Sequence, residues 1–511
     1  MKILNKEILL LIPVILLSFF AINIYESEAK SDLVKSKFES VTVEKNGIKI
    51  TYIDHLLNYP NAVFIYEKTG YKPIVRRKSD VIISSALVSN TIYITSPGAT
   101  NDIRANFNTA VSSANDGDIV VVPNGSFTVT QTVTITKKIK VTGGGIGVSI
   151  LYRDESVSDA TLSGWGPMIT FNINDDKPSG IEFAKLELRS QIPLITAGDG
   201  GSLASDVGLK FINAVDFLVH DCKFMYFGNG GIDVRHRDYL ARGVIYNCKF
   251  YRNAKGTDGL GLGYGVVVYG EANKWYSNTQ LGSSNFIFIE DCRFDYHRHS
   301  IACAGCSRYV ARYDSVMYNI VSPPYSHAID THQDRELTSG TNRFGARATE
   351  VYNNWIINPT RIDGTTAMAN GCPDNQIEER AIGCGNGDMV VHDNYISGFR
   401  FAIGGYQGES NTYRYPYLHQ VGWASGKQYG RNHTGTDGSK GDGDLFYWSN
   451  TFTTFTLTGG GACQLFWNYT ASGGNGTSSN YLMLERDYHP SAKPGYVPYT
   501  YPHPLRAKAI L

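Results

Sequence analysis

An excess of charge of either sign is missing from this sequence: 47 basic and 47 acidic residues cancel to a formal +0, and only 18% of the chain is charged. Without a basic surplus to neutralise phosphates, no nucleic acid partner is expected. Methionine is scarce, at 7 of 511 residues, whereas glycine reaches 53 and tyrosine 33. A chain poor in helix formers and rich in turn formers and strand-favouring aromatics points to an all-β protein. Long apolar runs are missing after residue 24, so no later segment is expected to span a membrane.

The N-terminus is different. Two lysines within 1–7 precede 8–24, which is apolar except for Ser18 and Asn23, and a small-x-small site follows at Ser27-Glu28-Ala29. This is the layout of an export signal cleaved before Lys30; its length, near the minimum for a span, also fits an uncleaved anchor. In both cases the bulk of the chain is expected outside the cytoplasm, extracellular or on the cell surface. A membrane would be met only through an uncleaved N-terminal segment. The order along the chain is then signal or anchor at 1–29, an extension or small cap at 30–97, a repetitive region at 98–490 and a tail at 491–511 that packs on that region.

Apolar residues at Ile103, Phe107, Ala110, Val111 and Ala114 recur with a helical period. The short strands that follow, at 119–122, 132–135 and 139–141, suit a solenoid that begins near Ile119 and whose first coil needs a plug over its open core. Self-similarity carries the rest. FLVHDCKF at 217–224, GVIYNCKF at 243–250 and FIFIEDCRF at 286–294 are followed by weaker copies at 309–317, 349–357, 390–396 and 444–452. Each is a short strand, a turn residue (Asp or Asn, Ser449 in the last), a small or amide residue, then a strand resuming on an apolar side chain.

Coils of a parallel sheet stack about 4.8 Å apart. The equivalent positions Cys222, Cys248, Cys292, Ser315, Asn354, Asn394 and Asn450 should therefore form a structural column at a sharp turn. Asn satisfies turned backbone groups there, and a small Cys or Ser fills the same space. Parallel side-chain vectors keep the three thiols from bridging. Cys303 with Cys306 and Cys372 with Cys384, in looser sequence, are the better disulfide candidates. The largest loops are expected at 255–284 and 331–347.

These features resemble the pectate-lyase-like parallel β-helix superfamily. In that superfamily a capping helix precedes a Gly-Asp run with alternating hydrophobics and Pro-x-Gly, matched here by Gly117-Asp118-Ile119 through Pro123, Gly125 and Phe127. The repeat is similar to its parallel-β-helix repeat, and GYVPYTYPHPL at 495–505 looks like the tail of many secreted members. The resemblance covers residue 98 to the end. It implies an all-β, single-stranded right-handed parallel β-helix solenoid with an N-terminal capping helix. Function is implied only broadly, because lyases, hydrolases, esterases, phage spikes and adhesins share the fold. The Asn-Thr-Asp, Asp-Asp and Gly-His-Gly set of polygalacturonases is missing, as are the aspartate-rich calcium site and Arg-Pro-x-x-Arg motif of pectate lyases proper.

Registering coils on the turn column stacks Ile232, Ile301, Ile329, Ile382 and Ile403 in the interior. Side chains alternate along a strand, which turns Asp233, Arg235, Arg298, Asp330, His332 and Arg380 outward. His297 and His299 fall on the preceding turn, and His299 and His327 lie outside only if the turn reaches them. β-Elimination from a uronic acid sugar needs a base at the C5 proton and a cation at the carboxylate. The expected catalytic residues are His299, His327 or His332 for the proton and Arg298 or Arg380 for the carboxylate. Arg235, Tyr325 and Tyr406 are expected to contact substrate. Asp330 would orient a histidine or hold a divalent cation, for which Ca2+ is the candidate. Asp233 and Asp330, three coils or about 14 Å apart by strand spacing, are too distant for a hydrolytic pair. The expected function is a polysaccharide lyase acting on acidic polysaccharide. The alternative is a non-catalytic surface or adhesive β-helix that binds glycans or cell-envelope partners.

Overall fold

A computed structural model of the chain describes residues 40–45, 48–53, 66–67, 89–154, 161, 164–173, 175–191, 206–236, 242–253, 263–270, 280–304, 307–318, 327–331, 346–358, 380–384, 388–397, 399, 401–405, 445–453, 464–467 and 488–511. The chain divides into two units, Met1–Val88 and Ser89–Leu511. In the first, the strands Ser40–Lys45, Ile48–Ile53 and Tyr66–Glu67 form an antiparallel sheet. The expected signal or anchor lies outside the described residues.

The second unit is a parallel β-helix. Each coil gives one strand to each of three parallel sheets, which contain 10, 12 and 10 strands among the described residues. One coil runs Val207–Ile212, Val215–His220, Lys223–Met225. Its strands pair in parallel with those of the next coil, Gly230–Arg235, Arg242–Tyr246 and Lys249–Tyr251. The right-handed winding is the hand that twisted L-strands impose on parallel crossovers. The three outer surfaces are called below the site face (Gly230–Arg235 and its neighbours), the tail face (Arg242–Tyr246) and the third face (Lys249–Tyr251).

Inward-pointing Val, Ile, Leu and Phe from all three sheets form one continuous core. Phenylalanines stack coil upon coil, Phe224 on Phe250 at 5.3 Å and Phe250 on Phe294 at 4.7 Å between ring centroids. The helix α1, Arg104–Ser113, buries Phe107, Ala110 and Val111 in that core and packs on the first site-face strand, Val133–Ile135. Lys137 Nζ donates to the carbonyls of Val111, Ser112 and Ala114 at the C-terminal end of α1, where the helix dipole favours a cation.

Two expectations need correction. The first strand of the β-helix is not near Ile119: Thr91–Tyr93 already pairs in parallel with Ile119–Val121. The segment 255–284 is not all loop, because it contains a complete rung. Tyr264–Tyr269 lies between Gly230–Arg235 and His299–Ala304, its three consecutive valines obscured by the surrounding glycines.

The turn between tail face and third face is built by a left-handed residue followed by the column residue. Asp221, Asn247, Asp291, Tyr313, Asn353, Asp393 and Ser449 all have φ between 50° and 59°. The next residues are Cys222, Cys248, Cys292, Asp314, Asn354, Asn394 and Asn450, so Asp314 replaces the expected Ser315. Arg293 pairs with Ser315, which puts Asp314 level with Cys292 and leaves Ser315 on the following strand. The rarity of tyrosine at positive φ had made Asp314 look like the turn residue.

The column is a ladder. The Oδ1 of Asn354 accepts from Asp314 N, that of Asn394 from Asn354 N, and that of Asn450 from Asn394 N, at 2.9–3.1 Å. On its other side each member except Asp314 reaches one carbonyl of the preceding coil. Cys222, Cys248 and Cys292 point their thiols at Phe183, Val219 and Ile245 (3.7–3.8 Å). Asn354, Asn394 and Asn450 donate to Ala311, Val351 and Val391 (2.9–3.0 Å). The three thiols are buried and unbridged, and burial pushes those of Cys248 and Cys292 up.

Asp314 is the flaw in this ladder. The repeat assigns it the Ile289 carbonyl, which pairs in register between Ile245 and Ala311. A carboxylate has no proton to give, and Asp314 Oδ2 is buried without a hydrogen-bond partner. Burial therefore pushes this carboxyl well above its ordinary value, and Cys292, Asp291 and Glu290 add to the shift. The folded state holds the proton more tightly than the unfolded chain does. Its contribution to stability is full below the unfolded pKa, about 3.9, and is lost as pH rises through the folded value. Asp314→Asn supplies the missing donor and is expected to stabilise the protein at pH 7 by about 1–3 kcal/mol, the cost of one unmet buried polar group. The measurement is the urea midpoint at pH 5 and pH 8. The gain should be larger at pH 8, and equal or lower midpoints at both would remove Asp314 as the flaw.

Candidate functional site

The site face is shaped by an irregularity in its strands. Two consecutive residues point inward: Ala328 and Ile329 both lie in the core. At the equivalent Gly231 and Gly265, a methyl group would meet the rings of Phe250 and Phe294 at 2.9 and 2.5 Å. The residues flanking this inward pair are both sent outward. Tyr264 and His299 are neighbours in register before it. Asp233, Val267, Ala302 and Asp330 form the row after it. Strict alternation would have placed His299 inside and kept it from Asp330.

The described outward side chains form two groups. In the first, His299 Nε2 lies 3.7 Å from Asp330 Oδ2, both almost fully buried at 2% and 6% side-chain exposure. The Tyr264 ring stacks on the His299 ring, with centroids 5.9 Å apart and planes at 16°. Burial pushes the Tyr264 phenol up, Asp330 and Asp233 add to this, and Arg298 opposes it by charge and hydrogen bonding. Arg298 is half-buried, and its Nε has no hydrogen-bond partner.

In the second group Arg235 Nε donates to both oxygens of the buried Asp233 (3.1 and 2.9 Å), with Lys210 Nζ 3.6 Å away. The Arg235 guanidinium lies over the Tyr269 ring at 4.7 Å. Asp233 and Asp330 are three rungs apart. The arrangement thus offers a carboxylate-flanked imidazole beside a cation and a phenol, then more cations and a ring further along the axis. Proton transfer and anion binding are the chemistry such a set supports.

Among the expected site residues, the structure brings Arg298, His299 and Asp330 together and sets Arg235 in the second group. His327 pairs in register with Arg380, and Ile301 with Ile329, so the backbones of His299, His327 and Arg380 are stacked in one row. His332, Tyr325 and Tyr406 lie outside the described residues, as do Cys306 and Cys372. Cys303 has its side chain in the core. His297 needs correction: it is fully buried, packed edge-on to Phe294 and bonded to the Asn253 backbone, and burial lowers its pKa to about 4. It is a core histidine. Among the described residues no group of three or more His, Cys, Asp or Glu side chains could hold a metal ion.

Sequence reasoning missed Tyr264, Tyr269 and Lys210. The first two were hidden in the supposed loop; the signal that would have found them is the run Tyr-Gly-Val-Val-Val-Tyr itself, a β-branched stretch with aromatic ends. Lys210 carried no signal beyond its place on an outward position.

Fold and site together define a parallel β-helix with an ionisable cluster on one outer sheet. No protein-family model matches the chain, and no curated protein matches it. Solved structures with a similar course include ORF18 of Geobacillus virus E2, at 13% identity over 82% of this chain and 69% of that one, with a TM-score of 0.33. A pectate lyase, Pel9A, is 12% identical over 71% of this chain and 77% of its own, with a TM-score of 0.38. Pectin methylesterase PemA from Erwinia chrysanthemi is 9% identical over 74% and 92%, with a TM-score of 0.35. At these values the β-helix rests on the strand register, and the chemistry on the side chains.

Proposed function

We propose that the chain is an exported carbohydrate-active β-helix that cleaves an acidic polysaccharide by β-elimination on the site face. The observation that carries this reading is the His299–Asp330 pair, with Tyr264 stacked on the histidine and Arg298 beside it. Arg298 neutralises the uronic carboxylate and so stabilises the charge that develops as the C5 proton leaves. His299 takes that proton, and Asp330 holds the ring and favours its protonated form. The C4–oxygen bond breaks as the C4–C5 double bond forms, and the leaving oxygen takes a proton from Tyr264, kept protonated by burial. Arg235, Lys210 and Tyr269 bind further sugars along the axis.

The test is incubation of the purified chain with polygalacturonate, alginate and a glycosaminoglycan, with ultraviolet absorbance of the unsaturated product followed with added Ca2+ and with chelator. At least one polymer should give rising absorbance. New reducing ends without absorbance would make the protein a hydrolase. Binding without either product would make it the non-catalytic β-helix.

A further inference from the structure

The third face carries a row that the proposed reaction does not use. Its register runs Lys223, Lys249, Arg293, Ser315, Trp355, Tyr395 along the axis, one residue per coil. Alternation turns these side chains outward while their neighbours Phe224, Phe250, Phe294, Val316, Ile356 and Ile396 fill the core. Trp355 is 62% exposed, and its ring leans on that of Tyr395 at 5.2 Å between centroids. The tail face has a comparable outward apolar strip, but there the C-terminal residues Tyr499, Leu505 and Ala509 pack over it.

The same row concentrates charge in a chain whose net charge is zero. Three cations follow one another on adjacent rungs, about 4.8 Å apart, and their repulsion is weakly offset. Lys223 shares Glu187 at 3.6 Å, and Arg293 sits 3.9 Å from Asp295 while 64% exposed. Among the described residues no ion pair involves Lys249. An exposed aromatic pair in line with a short cationic ladder matches one kind of partner. A linear acidic polysaccharide has sugar faces that stack on rings and carries its anions along a line.

We infer that the third face is a second, non-catalytic binding track for an acidic polysaccharide lying along the helix axis. A sugar stacks on Trp355 and Tyr395, and carboxylates or sulfates of the same chain meet Arg293 and Lys249. The inference shares its ligand class with the reading above but does not depend on catalysis. Nucleic acid fits less well, since three cations give little phosphate neutralisation.

The experiment uses the full chain carrying His299→Ala, so that no probe is consumed, and affinity electrophoresis in gels holding polygalacturonate, alginate, a glycosaminoglycan or neutral dextran. Trp355→Ala and the double variant Lys249→Glu/Arg293→Glu should each weaken retention on an acidic polymer at least tenfold. Trp355→Tyr should restore most of it, and dextran should not retain the protein. With His299 retained, the same third-face variants should leave turnover of short soluble oligosaccharides unchanged. Retention unaltered by both variants would overturn the track, as would tighter binding to a single-stranded oligonucleotide than to any polysaccharide. Trp355-dependent retention without any cleavage activity would leave the track standing and remove the lyase.

Discussion

Replacing His299 with alanine is expected to lower turnover of the acidic polymer by about 10²–10⁴-fold, the usual contribution of a positioned general base. The far-UV spectrum should remain that of a β-helix. Because His299 is nearly buried and touches Tyr264 and Asp330, alanine also opens a small void, so His299→Gln serves as the second variant. Glutamine keeps most of the volume but cannot take a proton; equal loss in both variants assigns the defect to chemistry. Asp330→Asn separates positioning from proton transfer. A carboxylate beside an imidazole favours its charged form, so the amide should move the acid limb of the rate profile to lower pH while lowering the maximal rate less than His299→Ala does. Wild-type turnover in both His299 variants would place the base elsewhere, at His327 in the same row or at His332.

Much of the fold could be read before any coordinates because a coiled parallel sheet repeats its most constrained position. The turn needs a left-handed residue and then a buried side chain that meets stacked backbone groups, and few residue types do both. Hence Cys222, Cys248, Cys292, Asn354, Asn394 and Asn450 stood out. Ser315 was misassigned because the left-handed position there is filled by Tyr313, which no turn rule selects. The site was harder for a different reason. Whether His299 faces water or core depends on one extra inward residue per strand, and that depends on the Phe250 and Phe294 rings leaving room only for glycine at 231 and 265. This is a packing relation between sheets, not a pattern along a strand. His297, two residues away, falls on the buried side of the same boundary. That the tail packs on the β-helix was legible, but its partners were not, because they join residues up to 329 positions apart, as in Leu511 with Glu182.

Replacing Arg312 with alanine is expected to cost about 3–5 kcal/mol, the usual penalty for removing one partner of a buried ion pair, and to free the C-terminal tail. Arg312 and Glu290 face each other on the tail face with no solvent exposure. The guanidinium serves four partners at once. Its Nε donates to Glu290 at 2.9 Å, Nη1 to Tyr352 and to the Tyr499 carbonyl, and Nη2 to Glu290 and to the Thr500 carbonyl. Its face also lies against Phe288 and Tyr501. Glu290 in turn accepts from Arg506 Nη1 at 3.1 Å, and Arg506 reaches Asp291 at 2.6 Å. Without Arg312 the carbonyls of Tyr499 and Thr500 lose their donor, and Glu290 stays buried with Arg506 as its remaining cation. Tyr499, Leu505 and Ala509 would then release the apolar strip of Leu218, Val244, Phe288 and Val310 that they cover. The pair itself need not be a large net gain, since desolvating both ions offsets most of their attraction. The double variant Glu290→Gln/Arg312→Met should therefore recover much of the loss at the pair while still failing to hold the tail carbonyls. Urea midpoints report the first effect, and limited proteolysis within 495–511 reports the second. A single variant that unfolds like the wild type, with its tail equally protected, would show that the apolar strip alone holds the tail in place.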